Sequence, residues 1–325
     1  MNKELSYQNK KIFYRIIGAG KPVVLIHGFG EDGNIWNNQS EYLKDKYKLI
    51  IPDLPGSGQS EMVDDMSIEG MAEVIKCIID IEASPELRSF PSLRSETSEG
   101  GALISDSSDK YNNYKEADSK NPPLEGREAP PSEGREACPV IAHSMGGYIL
   151  LALVEKYRNH VSAFGLFHSS AYPDSEEKKA VRRKGIEFIK QHGAYEFLKT
   201  TTPNLFSQQT KDNRPGLISE LIASLDNFSP AALVSYYEAM MQRPDRTKML
   251  QKAAVSVLFI MGKYDNAVPF QDGLQQCHLP EKSYIYVLRN SGHMGMLEEK
   301  EKCNEILDKF LLETSPNKSL RESNF

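Results

Sequence analysis

One stretch constrains this chain more than any other. Residues 140–150 run Val-Ile-Ala-His-Ser-Met-Gly-Gly-Tyr-Ile-Leu. They read as a short apolar strand, a sharp turn on Ser144 and a helix beginning near Met145. A serine at the tip of such a turn presents its hydroxyl clear of both elements. Ala142, Gly146 and Gly147 are small, which lets strand and helix pack closely. The usual pattern here is G-x-S-x-G, and Ala142 stands at the first glycine. Alanine is the next residue in size, so the departure is slight. The weight of the motif depends on what surrounds it, and in what order.

The surroundings alternate between strand and helix. Residues 12–17 form a strand ended by Gly18-Ala-Gly20. Lys21–Ile26 is a buried-type strand running into His27-Gly-Phe-Gly30. An amphipathic helix is expected over 34–47, with Trp36 and Leu43 on its apolar face. Residues 48–51 form another strand, followed by the turn-rich loop Pro52-Asp-Leu-Pro-Gly-Ser-Gly-Gln-Ser60. Ser67 caps a helix that runs to about Ala83. After the 145–158 helix come the strands 161–167, 255–261 and 283–288. A closing helix covers 298–312, and the tail from Ser315 is polar. This spacing predicts an α/β fold with a mostly parallel, eight-stranded-type sheet and helices on both faces. Residues 174–252 are helical only. Asp174 or Ser175 caps the first of these helices, Gly193 stops it, and Ser229-Pro230 opens another. Such a block, inserted after a sheet strand, is expected to fold over the strand ends as a lid.

Composition matters most between residues 84 and 137. Only six of these 54 positions are Leu, Ile, Phe or Val, and eleven acids against seven bases give the stretch −4 of the total −6. That is too little apolar surface to offset chain entropy. The short repeats Leu87-Arg-Ser89 with Leu93-Arg-Ser95, and Glu125-Gly-Arg-Glu-Ala129 with Glu133-Gly-Arg-Glu-Ala137, are too brief for a solenoid. The stretch reads as a disordered insertion, with a recruited interaction segment as the alternative. The core is then 1–83, 138–173 and 253–325, with the lid at 174–252. An insoluble variant lacking 84–137 would count against an insertion.

A net charge of −6 offers no electrostatic case for nucleic acid or an anionic membrane surface. No apolar run is long enough to span a bilayer, and the polar N-terminus carries no export signal. Cys77, Cys138, Cys277 and Cys303 are scattered without a C-x-x-C pair, which argues against zinc or redox chemistry. A reduced, cytoplasmic protein is expected.

Acyl transfer by a serine needs a base, a group that orients the base, and donors for the oxyanion. Ser144 is the nucleophile candidate, and otherwise a helix cap. His293, in a polar loop after the last strand, is the base candidate, and otherwise a surface histidine. Asp265, beside Ala267-Val-Pro269, is the orienting acid, and otherwise an Asx turn. Asp174 is a rival for that role. All lie after strands, and such loops converge at the carboxyl edge of a parallel sheet. The backbone N–H groups of Phe29 and Met145 are the oxyanion donors. No metal or cofactor is required. His27 is expected to shape the loop around Phe29. His143 is expected to pack beside the serine, and His160, His168, His192 and His278 show no metal-ligand spacing. Asp53 is expected to bind backbone in its turn, and Trp36 to be core. Lys178, Lys179, Arg182, Arg183 and Lys184 form either a docking face for an acidic carrier protein or acyl group, or a solvated helix face.

The chain order Ser, Asp, His, together with His27-Gly-Phe-Gly30, Asp53-Leu-Pro-Gly-Ser-Gly58, His143-Ser-Met-Gly-Gly147, Gly262-Lys-Tyr-Asp265 and Ser291-Gly-His293, resembles the α/β-hydrolase-fold family of lidded esterases. Among its members the chain is similar to pimeloyl-[acyl-carrier-protein] methyl ester esterases. The resemblance implies a serine hydrolase acting on a small or medium carboxylic ester, free or carrier-linked, with Ser144, Asp265 and His293 catalytic. The family also holds C–C bond hydrolases, a lyase and aminopeptidases, which keep those reactions as alternatives. A non-catalytic binding protein on the same fold is the rival from another class.

Overall fold

The computed structural model describes residues 1–83 and 137–315. Among them, eight strands form one sheet: β1 Asn2–Tyr7, β2 Lys10–Ile17, β3 Lys21–Ile26, β4 Tyr47–Pro52, β5 Cys138–His143, β6 Val161–Phe167, β7 Ser256–Gly262 and β8 Ser283–Leu288. Their order is β1-β2-β4-β3-β5-β6-β7-β8. β1 and β2 are antiparallel, β2 meets β4 antiparallel, and every other neighbouring pair is parallel. The sheet therefore sends the ends of β3, β5, β6, β7 and β8 to one edge.

The central strands are apolar throughout because both of their faces are covered. In β3, Val24 and Ile26 enter one core while Val23 and Leu25 enter the other. In β5 the alternation repeats, with Val140 and Ala142 on the first side and Ile141 on the second. The first core is closed by α2 Ile68–Glu82 and α3 Met145–Lys156. The second is closed by α1 Asn37–Leu43 and by the closing helix Lys300–Glu313. β5 pairs with β3 on one side and β6 on the other. It is thus held by its neighbours and by fully buried Val140 and Ile141, each worth about 1.5–3 kcal/mol of burial.

Between β6 and β7 the chain is helical. It runs through α4 Glu176–His192, α5 Ala194–Thr201, α6 Gln208–Asn213, α7 Pro215–Ala223, α8 Pro230–Gln242 and α9 Thr247–Gln251. Ser175 caps α4 by accepting from Lys178 N–H, and Gly193 leaves it at φ 86°. Past β7 come α10 Phe270–Gln276, α11 Gly295–Glu298 and α12, the Lys300–Glu313 helix.

Two local departures from the sequence-based expectation have physical causes. β1 is an edge strand with one buried residue, Leu5, so it carries no apolar alternation to read. A two-residue turn at Gln8 and Asn9, both at positive φ, joins it to β2. The helix expected over 34–47 is split into a 3-10 turn, Gly33–Trp36, and α1. The expected insertion, but for Ala137, and the tail past Ser315 lie outside the described residues.

Candidate active site

The turn after β5 holds Ser144 at φ 50° and ψ −118°, which lifts its side chain off both strand and helix. Neighbouring space explains the small residues behind it. A Cβ on Gly146 would collide with the carbonyl oxygen of His27, and one on Gly147 with the Ser169 side chain.

Ser144 Oγ donates to His293 Nε2 at 2.8 Å, and His293 Nδ1–H donates to Asp265 Oδ2 at 2.8 Å. Asp265 Oδ1 is occupied by Ala267 N–H and Val268 N–H, both at 2.9 Å. The carboxylate is thus fixed from behind by its own loop. Burial would raise the Asp265 carboxyl, but the charge of His293 and hydrogen bonds from His168 and His293 hold it well below the usual carboxylate range. Burial disfavours the His293 imidazolium, yet the Asp265 charge and hydrogen bond, with Glu31 and Glu298 further out, raise this histidine above its ordinary value.

Three residues that sequence reasoning did not single out complete the arrangement. His168, at the end of β6, donates Nδ1–H to the same Asp265 Oδ2 at 3.1 Å, and its Nε2 accepts from Gly295 N–H at 3.3 Å. Burial pushes His168 down to about 4, so it stays neutral and serves as a donor. Glu298, in α11, accepts from Gly292 N–H at 2.7 Å, from Ser207 N–H at 2.9 Å and from Thr210 Oγ1 at 2.7 Å. His293 N–H donates to Leu205 O at 2.6 Å. The histidine loop is therefore fastened to the helical block. Glu31 is the third. Its Oε2 accepts from Gly28 N–H at 2.7 Å and from His143 Nδ1–H at 2.9 Å. Burial would raise the Glu31 carboxyl, and the His143 charge and these hydrogen bonds hold it below its ordinary value. His143 Nε2 lies 3.0 Å from His293 O, so the ring bridges Glu31 and the histidine loop. None of the three belongs to a local motif; each is brought in from a separate loop.

The other expected residues fall into place around this group. Among the described residues, neither Phe29 N–H nor Met145 N–H has a hydrogen-bond acceptor, and Met145 is fully buried. His27 Nε2 accepts from Leu54 N–H at 2.9 Å and so holds the β3 loop to the β4 loop. Asp53 accepts from Gly33 and Gln59 N–H. Trp36 is core, packed edge-on against Phe167. Asp174 takes no part in the serine–histidine chain. It sits 2.5 Å from Arg182 Nε and 2.8 Å from Arg243 Nη1.

Ser144 and His293 open onto a cavity of about 370 Å³, lined also by Phe29, Glu31, Tyr148, Arg182, Tyr237 and Val268. The wall thus combines strand-end loops with α4 and α8. Tyr237 stacks flat on Phe29, with ring centroids 4.4 Å apart and planes at 4°. Arg182 departs from both expectations for the basic run, since it is turned inward under Tyr237 and tied to Asp174. Lys178 pairs with Asp272 at 3.6 Å, and Lys179 with Glu176 at 2.8 Å. The His168, Asp265 and His293 ligand atoms lie within 4.8 Å of one another. The hydrogen bonds through Oδ2 account for that proximity without an ion.

A parallel sheet with a hydrogen-bonded serine, histidine and aspartate at its carboxyl edge, in the chain order Ser, Asp, His, defines a hydrolase-type α/β protein. Residues 23–306 match the Alpha/beta hydrolase family, and the chain belongs to it. A 64-residue stretch is 41% identical to a pimeloyl-[acyl-carrier protein] methyl ester esterase of Methylococcus capsulatus, covering 20% of this chain and 25% of that protein. The chain thus aligns with about a quarter of that curated relative's length. The fold matches a thermophilic esterase from Thermogutta terrifontis, solved with malate bound, at a TM-score of 0.75 and 22% identity over 97% of this chain and 99% of the other. It also matches the enol-lactonase of Burkholderia xenovorans at a TM-score of 0.73 and 16% identity, over 95% and 100% of the two chains. At such identities the likeness is one of fold.

Proposed function

We propose that this chain is a serine esterase that cleaves a small or medium carboxylic ester through an acyl-enzyme on Ser144. The observation that carries the reading is the unbroken hydrogen-bond chain from Ser144 through His293 to Asp265, opening onto a cavity. His293 takes the serine proton as Ser144 Oγ attacks the ester carbonyl, and Asp265 steadies the imidazolium that forms. Phe29 N–H and Met145 N–H receive the developing oxyanion. His293 then gives its proton to the leaving alkoxide. A water molecule, deprotonated by the same histidine, releases the acid.

Residues 174–252 act as a lid in this reading, because α4 and α8 supply one wall of the cavity. The short match to pimeloyl-[acyl-carrier protein] methyl ester esterases supports a short alkyl ester. A carrier-linked substrate gains less support, since four of the five basic residues in the α4 run pair with acids nearby. No described helix is long and apolar enough to cross a membrane, and we assign the chain to the cytoplasm on its sequence.

The test is labelling by a fluorophosphonate, followed by turnover of p-nitrophenyl esters of graded acyl length. Labelling in the parent, its loss in Ser144→Ala, and turnover of short or medium esters are expected. A parent protein that does not label would overturn the reading. Labelling without turnover of any ester would move it to another reaction of the family.

A further inference from the structure

The Glu31 side chain is only 6% exposed, yet one of its oxygens is unused. Oε2 is saturated by Gly28 N–H and His143 Nδ1–H. Among the described residues no donor reaches Oε1. Glu31 shares the cavity wall with Ser144 and His293. An atom at the Cβ position of Gly28 would lie 3.0 Å from Ser144 Cβ and 3.1 Å from Glu31 Oε2, so carboxylate and nucleophile crowd the same point. Glu31 also borders a second cavity of about 340 Å³, whose wall includes Leu217, Leu221 and Leu297. Oε1 keeps its contact with solvent through the cavity, where a donor on a ligand can take the place of water.

Charge explains how a carboxylate can stand beside an oxyanion site. A bare anion there would oppose the negative charge that develops on the substrate. Gly28 N–H and His143 Nδ1–H both point at Oε2 and offset that charge at close range. Both donors lie on Oε2, so Oε1 remains a strong acceptor.

We infer that Glu31 is a specificity residue for esters bearing a hydroxyl group one or two carbons from the reacting carbonyl, which donates to Oε1. The inference rests on the esterase reading and names its substrate class. It makes a sharp prediction for Glu31→Gln. His143 Nδ1–H and Gly28 N–H are both donors, so they capture the amide oxygen of the glutamine. The amide NH₂ then stands where Oε1 stood, and an acceptor becomes a donor of the same shape.

The experiment compares kcat/KM for the methyl esters of 3-hydroxybutyrate, 3-methoxybutyrate and butyrate, with the 2-substituted pair alongside. Hydroxy and methoxy groups polarise the carbonyl similarly, and only the first can donate. In the parent the hydroxy ester at one of the two positions is expected to lead its methoxy partner by about tenfold or more. In Glu31→Gln that ratio is expected to fall to about one or below. A parent ratio near one at both positions overturns the inference without recourse to any variant. So does an unchanged ratio in Glu31→Gln that still labels with fluorophosphonate. If no ester is turned over, the esterase reading has failed instead. The same comparison is then read from protection of Ser144 against the fluorophosphonate, which needs binding alone. Better protection by the hydroxy ester, lost in Glu31→Gln, keeps the inference, and equal protection ends it.

Discussion

Among the described residues the proton of Ser144 has one acceptor within hydrogen-bond reach, His293 Nε2, and that acceptor is useful only while neutral. Asp265 favours the charged form of His293 and raises it above the ordinary histidine value of 6.5. The base is therefore protonated and inactive at low pH, and kcat/KM should rise as pH climbs through a value above 6.5. A pH profile whose acidic limb lies at or below that value would mean the coupling to Asp265 does not operate in solution. Asp265→Asn should lower kcat by about 10³–10⁴ and shift the limb to lower pH, because the stabilising charge is gone. His168→Leu removes one of two donors on Oδ2. Losing one charge-assisted bond of about 1.5–3 kcal/mol loosens the acid, and kcat should fall by roughly tenfold with KM little changed. A change confined to KM would show that His168 acts on binding.

At the scale of elements, the helical block does more than form a wall. The aromatic stack of Tyr237 on Phe29 holds the loop that carries an expected oxyanion donor. Leu198 of α5 closes over Gly30, whose φ of 66° and tight contact exclude a side chain. A stacked aromatic pair is worth about 0.5–1.5 kcal/mol beyond its burial. Tyr237→Ala should therefore lower kcat/KM up to about tenfold, while Tyr237→Phe, which keeps the ring, should stay near the parent. Equal loss in both variants would implicate the hydroxyl instead. Glu298 links α11 to the segment before α6 and to the histidine loop. Glu298→Ala leaves Gly292 N–H and Ser207 N–H buried without partners, at about 1–3 kcal/mol each, and thermal unfolding should come several degrees lower. An unchanged melting temperature would mean that water satisfies these groups.

For the whole molecule, Glu82 gathers the antiparallel edge of the sheet onto the end of α2. It receives Lys3 at 2.7 Å, Tyr14 Oη–H at 2.8 Å and Lys48 at 2.6 Å, from β1, β2 and β4 in turn. Burial would raise its carboxyl, but these hydrogen bonds hold it below the ordinary 4.5. A lowered folded-state value means the contribution is complete above 4.5 and fades as pH falls through the lower folded value. Glu82→Gln should melt earlier than the parent at pH 7, and the gap should close on acidification below pH 4.5. A gap that does not depend on pH would make the effect one of shape and not of charge.

Sequence alone pointed to the architecture and to Ser144 and His293, and offered Asp265 beside Asp174 for the acid, a choice that the fold made by tying Asp174 to Arg182 and Arg243. The reason is locality. Short apolar runs bounded by turn residues read as central strands, small residues around Ser144 suit a tight turn, and loops after parallel strands converge whatever their sequence. Tertiary structure alone decided what acts at a distance. Glu31, His168 and Glu298 look like ordinary surface or core residues in the chain, since their partners lie on other elements, 112 positions away for Glu31 and His143 and 127 for His168 and Gly295. β1 was hidden for the opposite reason, as an edge strand whose identity comes from pairing with β2 and not from its own pattern. Charge compensation, like strand pairing at an edge, belongs to groups that only folding brings within a few ångströms of one another.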